Sequence, residues 1–301
     1  MPIYKITHET VYDYSEPVLY SNHLAHLLPR KVPRQNWLDH SVEIDPSPTA
    51  QQTRIDIFGN TALAFSVEKE HRKFSFKTTG IVEVSAEKIP ETSLPWEEIA
   101  EKIMRPQNAE ELEASMYAFN SPFAVYDDSV RHYALDSFTP KRPMLDACQE
   151  LMTRIYTDCA YTPGATRIGS LPPEILRIRK GVCQDFSHLM IACLRSLHLP
   201  CRYISGYLKT HTLADAQNLV GADATHAWVS SYFPNHGWVE FDPTNNIFGG
   251  LEHIIIAWGR DFGDVSPLKG VITGGGSHSL KVAVHVELSR KEERKGDDHE
   301  F

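Results

Sequence analysis

Gly181-Val182-Cys183-Gln184-Asp185-Phe186-Ser187-His188 places a cysteine at the first turn of an amphipathic helix. Phe186, Leu189, Met190, Cys193, Leu194 and Leu197 follow at helical spacing and mark one apolar face, and Leu199-Pro200 stops it. Cys183 lies at the helix start rather than on that stripe. Downstream come a histidine, in Thr225-His226-Ala227-Trp228, and an aspartate, in Phe241-Asp242-Pro243-Thr244. Cysteine, histidine and aspartate are the parts of a thiol nucleophile, its base and the group that orients the base.

The rest of the chain sets the bounds on that reading. Its 301 residues suffice for one large core or two smaller ones. A net charge of -9 argues against binding nucleic acid through its phosphate backbone. Residues 1–20 hold no apolar core of signal-peptide length, since Lys5, His8, Glu9 and Asp13 interrupt them, and no window approaches a membrane span. A cytoplasmic protein without a membrane association is therefore expected, unless a leader has been removed. The five cysteines are odd in number and form no C-x-x-C pair, so reduced thiols are expected. Cys148, Cys193 and Cys201 read as packing residues, and Cys159 lies in a loop beside Tyr161.

Residues 3–14 alternate with a period of two and predict a strand. Further strands are expected at 41–44, in a hairpin of 54–58 and 62–68 around Gly59-Asn60, and at 74–77 and 81–84. Residues 1–88 thus form a β-rich, sandwich-like N-terminal domain. Residues 89–142, with helices at 96–104 and 109–119, are either a lead-in to the second domain or a connecting segment. Residues 143–289 form that second domain. It holds a helix from Pro143 to Tyr156, the Cys183 helix, strands at 201–208, 226–233 and 238–242, and a C-terminal strand over 282–288. Residues 290–301 are a tail of mixed charge. The class is α+β.

A free thiol has a pKa near 8.5, and a helix N-terminus worth at most about 2 kcal/mol lowers it by about 1.5. An imidazolium at His226 would supply the rest, with Asp242 holding the other ring nitrogen. A hairpin of the two strands would bring His226 and Asp242 to adjacent positions on one face, with the cysteine helix packed across it. Each element alone has a plainer reading: a structural cysteine, a half-buried histidine, an aspartate ending a strand. Zinc held by Cys183, His226 and Asp242 is a weaker alternative, because no paired Cys or His spacing accompanies them. A non-catalytic module using the same cleft for a peptide or partner is the other alternative.

The 181–186 stretch, with Leu199-Pro200-Cys201-Arg202-Tyr203-Ile204-Ser205-Gly206-Tyr207, resembles the core of the bacterial transglutaminase-like superfamily. Thr225-His226-Ala227-Trp228 and Gly237-Trp238-Val239-Glu240-Phe241-Asp242-Pro243-Thr244-Asn245 are similar to its histidine and aspartate blocks. Trp258-Gly259-Arg260-Asp261-Phe262 and Asp264-Val265 resemble a later block of one bacterial branch. Tyr12-Asp13-Tyr14, Pro17-Val18 and Leu28-Pro29-Arg30 resemble the β-rich domain preceding it. The likeness spans roughly residues 3–276.

The resemblance implies a papain-like core, an active-site helix packed on an antiparallel sheet, with Cys183 as nucleophile, His226 as base and Asp242 as orienting carboxylate. Many members carry Ser before the histidine, where this chain has Thr225. The implied activity is amide chemistry through a thioester, as a peptidase or amidase or as a transglutaminase. A peptide or protein is the implied substrate, with an amine acceptor in the transfer case and no cofactor. Tyr161 matches an aromatic position before the active-site helix and is a candidate oxyanion donor, with the backbone N–H of Cys183 as the other. Gln184, Trp228 and Trp238 are candidate cleft residues. Arg260 and Asp261 are expected as an ion pair closing one side of the cleft, or as structural residues.

Overall fold

A computed structural model describes residues 1–209 and 225–289. The expected tail, residues 290–301, lies outside the described residues. The chain opens with strands β1 (Ile3–Ala25), β2 (Gln35–Asp45), β3 (Ala50–Ile55), β4 (Thr61–Val67) and β5 (His71–Val84). Helices α1 (Trp96–Met104), α2 (Ala109–Ser115), α3 (Asp128–Leu135) and α4 (Met144–Asp158) follow. Next come β6 (Ala160–Tyr161), α5 (Pro172–Ile178), β7 (Lys180–Gly181) and α6 (Cys183–Arg195). The chain then forms β8 (Cys201–Leu208), β9 (His226–Phe233), β10 (Gly237–Asp242), β11 (Ile247–Phe248) and β12 (His253–Gly259). It ends with α7 (Phe262–Val265), β13 (Leu268–Gly274) and β14 (His278–Leu288).

β1 serves two half-sheets. Its first half buries Tyr4, Ile6, His8 and Thr10 on one face and lies between β5 and β14. The register breaks between Asp13 and Val18, around Pro17, which has no N–H to give a ladder. The second half lies between β4 and β13. Phe65, Phe74, Phe76, Val18 and Leu63 pack together between the halves, as in a sandwich.

Two strands expected at 74–77 and 81–84 are one, β5. Gly80 interrupts the apolar pattern because Trp37 packs there; a Cβ would meet that ring at 2.7 Å. The expected hairpin arms are shifted, because Asp56 accepts from the backbone N–H groups of Phe58 and Asn60 and builds the turn itself.

The C-terminal strand corrects the expected domain division. β14 does not join the core sheet; it pairs along β1 from Tyr4 to Tyr14, and β13, absent from the sequence reading, pairs beside it. Alternation reveals a strand's two faces and is silent on its partner.

The second domain holds an antiparallel sheet in the order β11-β10-β9-β8-β12. Helix α6 packs with Ala227, Val229, Val239 and Phe241 of that sheet and with Leu151 and Met152 of α4. Cys193, Cys148 and Cys201 are fully buried in this core, as their patterning predicts. Helix α1 falls where its periodicity places it. Helix α3 was not foreseen, although Asp127 caps it by accepting from Val130 N at 3.0 Å.

The two sheets meet along β8 and β12. Tyr4, Ile6, Val82, Val84, Val284 and Val286 pack on Tyr207, Ile254 and Ile256. The side-chain amide of Gln35 pairs with both backbone groups of Ile255, and that of Asn60 with both of Trp258. Among the described residues no helix is long and apolar enough to cross a membrane.

Candidate active site

Cys183 is the first residue of α6 and is 9% exposed. The approach to it is held from both sides. Asp185, one turn in, reaches back to accept from Val182 N at 2.8 Å and from the Thr166 hydroxyl at 2.7 Å. Gly181 leaves room for this, since a Cβ there would lie 2.7 Å from that of Asp185. The short parallel pair β6–β7 sets Tyr161 beside Gly181. Burial pushes the Tyr161 hydroxyl up to about 12, with Cys183 and then Asp185 adding to it, so Tyr161 stays a neutral donor next to the thiol. Gln184 is half-buried in the same helical turn. As the first helical residue, Cys183 has a backbone N–H without an intrahelical acceptor.

His226 opens β9, 1% exposed, opposite Gly206 of β8. Nothing larger fits at Gly206, where a Cβ would come within 2.1 Å of the Ile254 carbonyl and 2.5 Å of the Trp228 ring. The Nε2 of His226 lies 2.8 Å from Asp242 Oδ2. Its Nδ1 is buried without a hydrogen-bond partner, on a ring whose electrostatic neighbours include the Cys183 thiol. Burial disfavours the charged ring, but the Asp242 carboxylate and then Cys183 outweigh it and raise His226 to about 10.

Asp242 closes β10 and is fully buried. Burial opposes its charge, yet His226 and His253 hold it well below the usual carboxylate range. Its Oδ2 receives His226, His253 at 3.2 Å and Asn245 Nδ2 at 2.8 Å. Its Oδ1 accepts from the backbone N–H groups of Thr244 and Asn245 at 2.9 and 3.3 Å. The turn after the strand therefore folds back around the carboxylate.

His226 and Asp242 lie adjacent on one face, as the hairpin argument expected, in a diagonal rather than a directly opposite register. Phe241 pairs with Val229, which sets Asp242 level with Trp228 and diagonal to His226 on the same face. Helix α6 covers the other face, at Ala227 and Val229. The cysteine helix therefore does not pack across the face that carries His226 and Asp242, as the sequence reading expected.

His253, at the start of β12, was missed. No motif or spacing marks it, and only the pairing of β12 with β8 brings it to Asp242. Gly250 N donates to its Nδ1 at 3.3 Å, so Nε2 carries the proton and donates to Asp242. Trp228 lies between, with ring centroids 5.9 Å from His226 and 5.1 Å from His253, and its Nε1 donates to Glu240 at 2.6 Å. It is part of the buried backing of the two imidazoles, fully enclosed rather than lining an open cleft.

Trp238 is not part of the site. It sits level with Tyr232, six residues along β9 from His226, about 20 Å at strand spacing. Arg260 pairs with Asp264, not with Asp261. Asp261 instead caps α7 and accepts from Phe123 N. His188 is fully buried; burial pushes it down to about 4, and its Nε2 accepts from Phe262 N.

The donor atoms of His226, Asp242 and His253 lie within 4.8 Å of one another, a separation that could hold a metal. Their orientation does not fit one. Both Nε2 atoms are directed at the same carboxylate oxygen, and that of His253 carries a proton, so no nitrogen lone pair faces the centre. Cys183 is not part of this group, against the weaker zinc expectation. The other thiols are shut away: burial raises those of Cys148, Cys159, Cys193 and Cys201.

Residues 4–83 match the bacterial transglutaminase-like N-terminal region, and residues 131–243 the transglutaminase-like superfamily. An uncharacterised protein of Mycobacterium tuberculosis is 37% identical over 297 residues, covering 95% of this chain and 92% of its own. A protein-glutamine gamma-glutamyltransferase of Pseudomonas aeruginosa is 32% identical over 121 residues, 36% of this chain and 18% of its own. The crystal structure of a candidate cysteine protease from Cytophaga hutchinsonii superposes with a TM-score of 0.74 at 20% identity, covering 97% and 92% of the two chains, and so shares the fold. The chain belongs to the transglutaminase-like superfamily. Its fold is that of cysteine proteases and acyltransferases of this class, an α+β core preceded by a strand-rich domain.

Proposed function

We propose that this protein is a thiol enzyme acting on amide bonds of peptides or proteins, with Cys183 as nucleophile, His226 as base and Asp242 as the orienting carboxylate. One observation carries the reading. The buried ring of His226 is held at one nitrogen by an ionised carboxylate, and its other nitrogen has no partner, beside a thiol at a helix N-terminus.

In this mechanism the Cys183 thiolate attacks the amide carbonyl while the His226 imidazolium balances its charge. The developing oxyanion takes the backbone N–H of Cys183 and the Tyr161 hydroxyl. His226 gives its proton to the departing amine, leaving a thioester. An incoming water then loses a proton to His226 and releases the acid. We favour water over an amine acceptor, because a cytoplasmic cross-linking enzyme would face every exposed lysine of its neighbours.

Incubation with a library of glutamine-containing peptides, with and without an added primary amine, tests this. Release of the free acid supports hydrolysis, amine incorporation would reassign the second half-reaction, and ammonia from the glutamine amide is expected in either case. Cys183→Ala should lower turnover about 10⁴-fold or more while the protein stays folded. Iodoacetamide should label Cys183 far ahead of the other four cysteines, whose thiols burial raises. Equal labelling of all five, with no turnover of any amide, would leave a peptide-binding module.

A further inference from the structure

Four residues along the sheet from His226, about 13 Å away, the same face carries a second buried cation. Arg202 of β8 is 5% exposed. Its guanidinium carbon lies 3.3 Å from the ring centroid of Trp238 and 4.3 Å from that of Trp258. Its Nε has no hydrogen-bond partner, and no carboxylate pairs with it among the described residues. The other buried arginines have more partners. Arg30 shares an unpartnered Nε and lacks a carboxylate, but its terminal nitrogens donate to the Asn60 side chain and the Phe58 carbonyl. Arg34 makes a two-pronged pair with Glu240, both bonds 2.9 Å, and Arg195 donates to three carbonyls and the Ser121 hydroxyl.

Arg202 lines a cavity of about 420 Å³ between this face and residues 32–34 and 87–88 of the N-terminal domain. That is within the range of small-molecule sites. Neither Cys183, His226 nor Asp242 lines it. Ile204 and Ile255 form an apolar wall, and Lys88 adds a positive charge at the rim beside Arg202 and the Glu240-paired Arg34. Two carboxylates also line it. Glu240 is already tied to Arg34 and Trp228. Glu87 lies at the rim, where partial desolvation and then the charge of Glu240 push its carboxyl up. Arg30 lies 3.3 Å from the centroid of Trp258, so two guanidiniums share one indole with no anion on Arg202. Of the other groups near Arg202, Tyr117 lies beside its guanidinium and Glu113 is exposed.

We propose that this cavity binds a small carboxylate with an apolar body, the carboxylate on the edge of Arg202 and the body against Ile204 and Ile255. The stacking indoles occupy the flat side of the guanidinium and leave its N–H edge free, and that edge matches a carboxylate in two-pronged geometry. A buried charge without a counter-ion is costly, and a ligand supplying one recovers that cost on binding. A free amino-acid derivative and the free C-terminus of a peptide present the same group.

Calorimetric titration with N-acetyl-leucine, N-acetyl-leucinamide and a tripeptide ending in leucine acid tests the proposal. The acid should bind in the millimolar range or tighter, and about tenfold or more better than the amide. Tighter binding of the tripeptide acid would assign the ligand as a chain terminus, and equal binding as the free acid. Arg202→Gln should lose that discrimination. Protein alkylated at Cys183 should bind as well as unmodified protein, which separates this site from the proposed chemistry. Equal binding of acid and amide by the unaltered protein, or binding of neither, overturns the proposal without relying on a variant. Unchanged discrimination in Arg202→Gln would also overturn it.

Discussion

His226 and Arg202 lie on one face of one sheet, four residues apart in register, and both are nearly sealed from water. Their surroundings differ. Around His226 the chain supplies everything a buried charge needs: a carboxylate that itself gathers five hydrogen bonds from His226, His253, Thr244 and Asn245. Around Arg202 it supplies only aromatic faces and open volume. The first arrangement is complete except at Nδ1 of His226, which has no hydrogen-bond partner, on a ring whose electrostatic neighbours include Cys183. The second is incomplete along the guanidinium edge. Burial alone does not distinguish a reactive group from a binding group; the direction of the one unpaired atom does.

Removing the compensating charge should have the largest effect. Asp242→Ala strips His226 and His253 of their shared partner and should cost about 3–5 kcal/mol in denaturant unfolding, with turnover falling as well. Asp242→Asn should keep more stability, since an amide oxygen can still accept. Its kcat should fall by less than the about 10⁴-fold seen in a serine triad, because a thiol needs less help from its base. Full turnover in Asp242→Ala would reduce the site to a cysteine–histidine pair.

The pH dependence of stability sharpens the same contrast. The His226 value is raised in the folded protein, from 6.5 to about 10. Its contribution is therefore complete below pH 6.5 and is lost as pH rises through about 10. Asp242 is depressed from 3.8, so its contribution is complete above pH 3.8 and is lost in acid below it. Unfolding free energies measured from pH 6 to 11 should decline in the unaltered protein and stay flatter in Asp242→Asn. Parallel curves for the two proteins would show that His226 is not charged in the folded state.

A smaller effect is expected at the residue the sequence did not reveal. His253→Phe keeps the ring but removes one donor to an ionised carboxylate, worth about 1.5–3 kcal/mol. It should lower kcat with little change in KM, because His253 faces Asp242 and not the thiol. A change confined to KM would place His253 against the substrate instead.

The smallest effect belongs to the other region. Arg202→Met removes a charge that has no counter-ion and keeps the side-chain length. The gain from relieving that burial and the loss of stacking on Trp238 oppose each other, so unliganded stability should change by less than about 1 kcal/mol. A loss comparable to that of Asp242→Ala would mean that Arg202 is as fully compensated as His226, and the contrast between the regions would disappear.

The sequence by itself determined the local pieces. The apolar stripe after Cys183 fixes where α6 begins and puts the thiol at its positive end. The β-rich composition of 201–208 and 226–233 marks β8 and β9 and places His226 at a strand start. These properties follow from backbone sterics and side-chain period, which act within a few residues. The tertiary structure decided what meets what. It chose the diagonal register of His226 and Asp242, which the hairpin left open, and brought His253 onto the same carboxylate. It moved Trp238 to the far end of the sheet and returned β14 to the first domain. Such choices depend on which surfaces complement one another across long separations, and no period along the chain encodes them. The unpaired edge of Arg202 is the extreme case. In sequence it is one polar residue in a buried strand, and only the packed molecule shows what its guanidinium lacks.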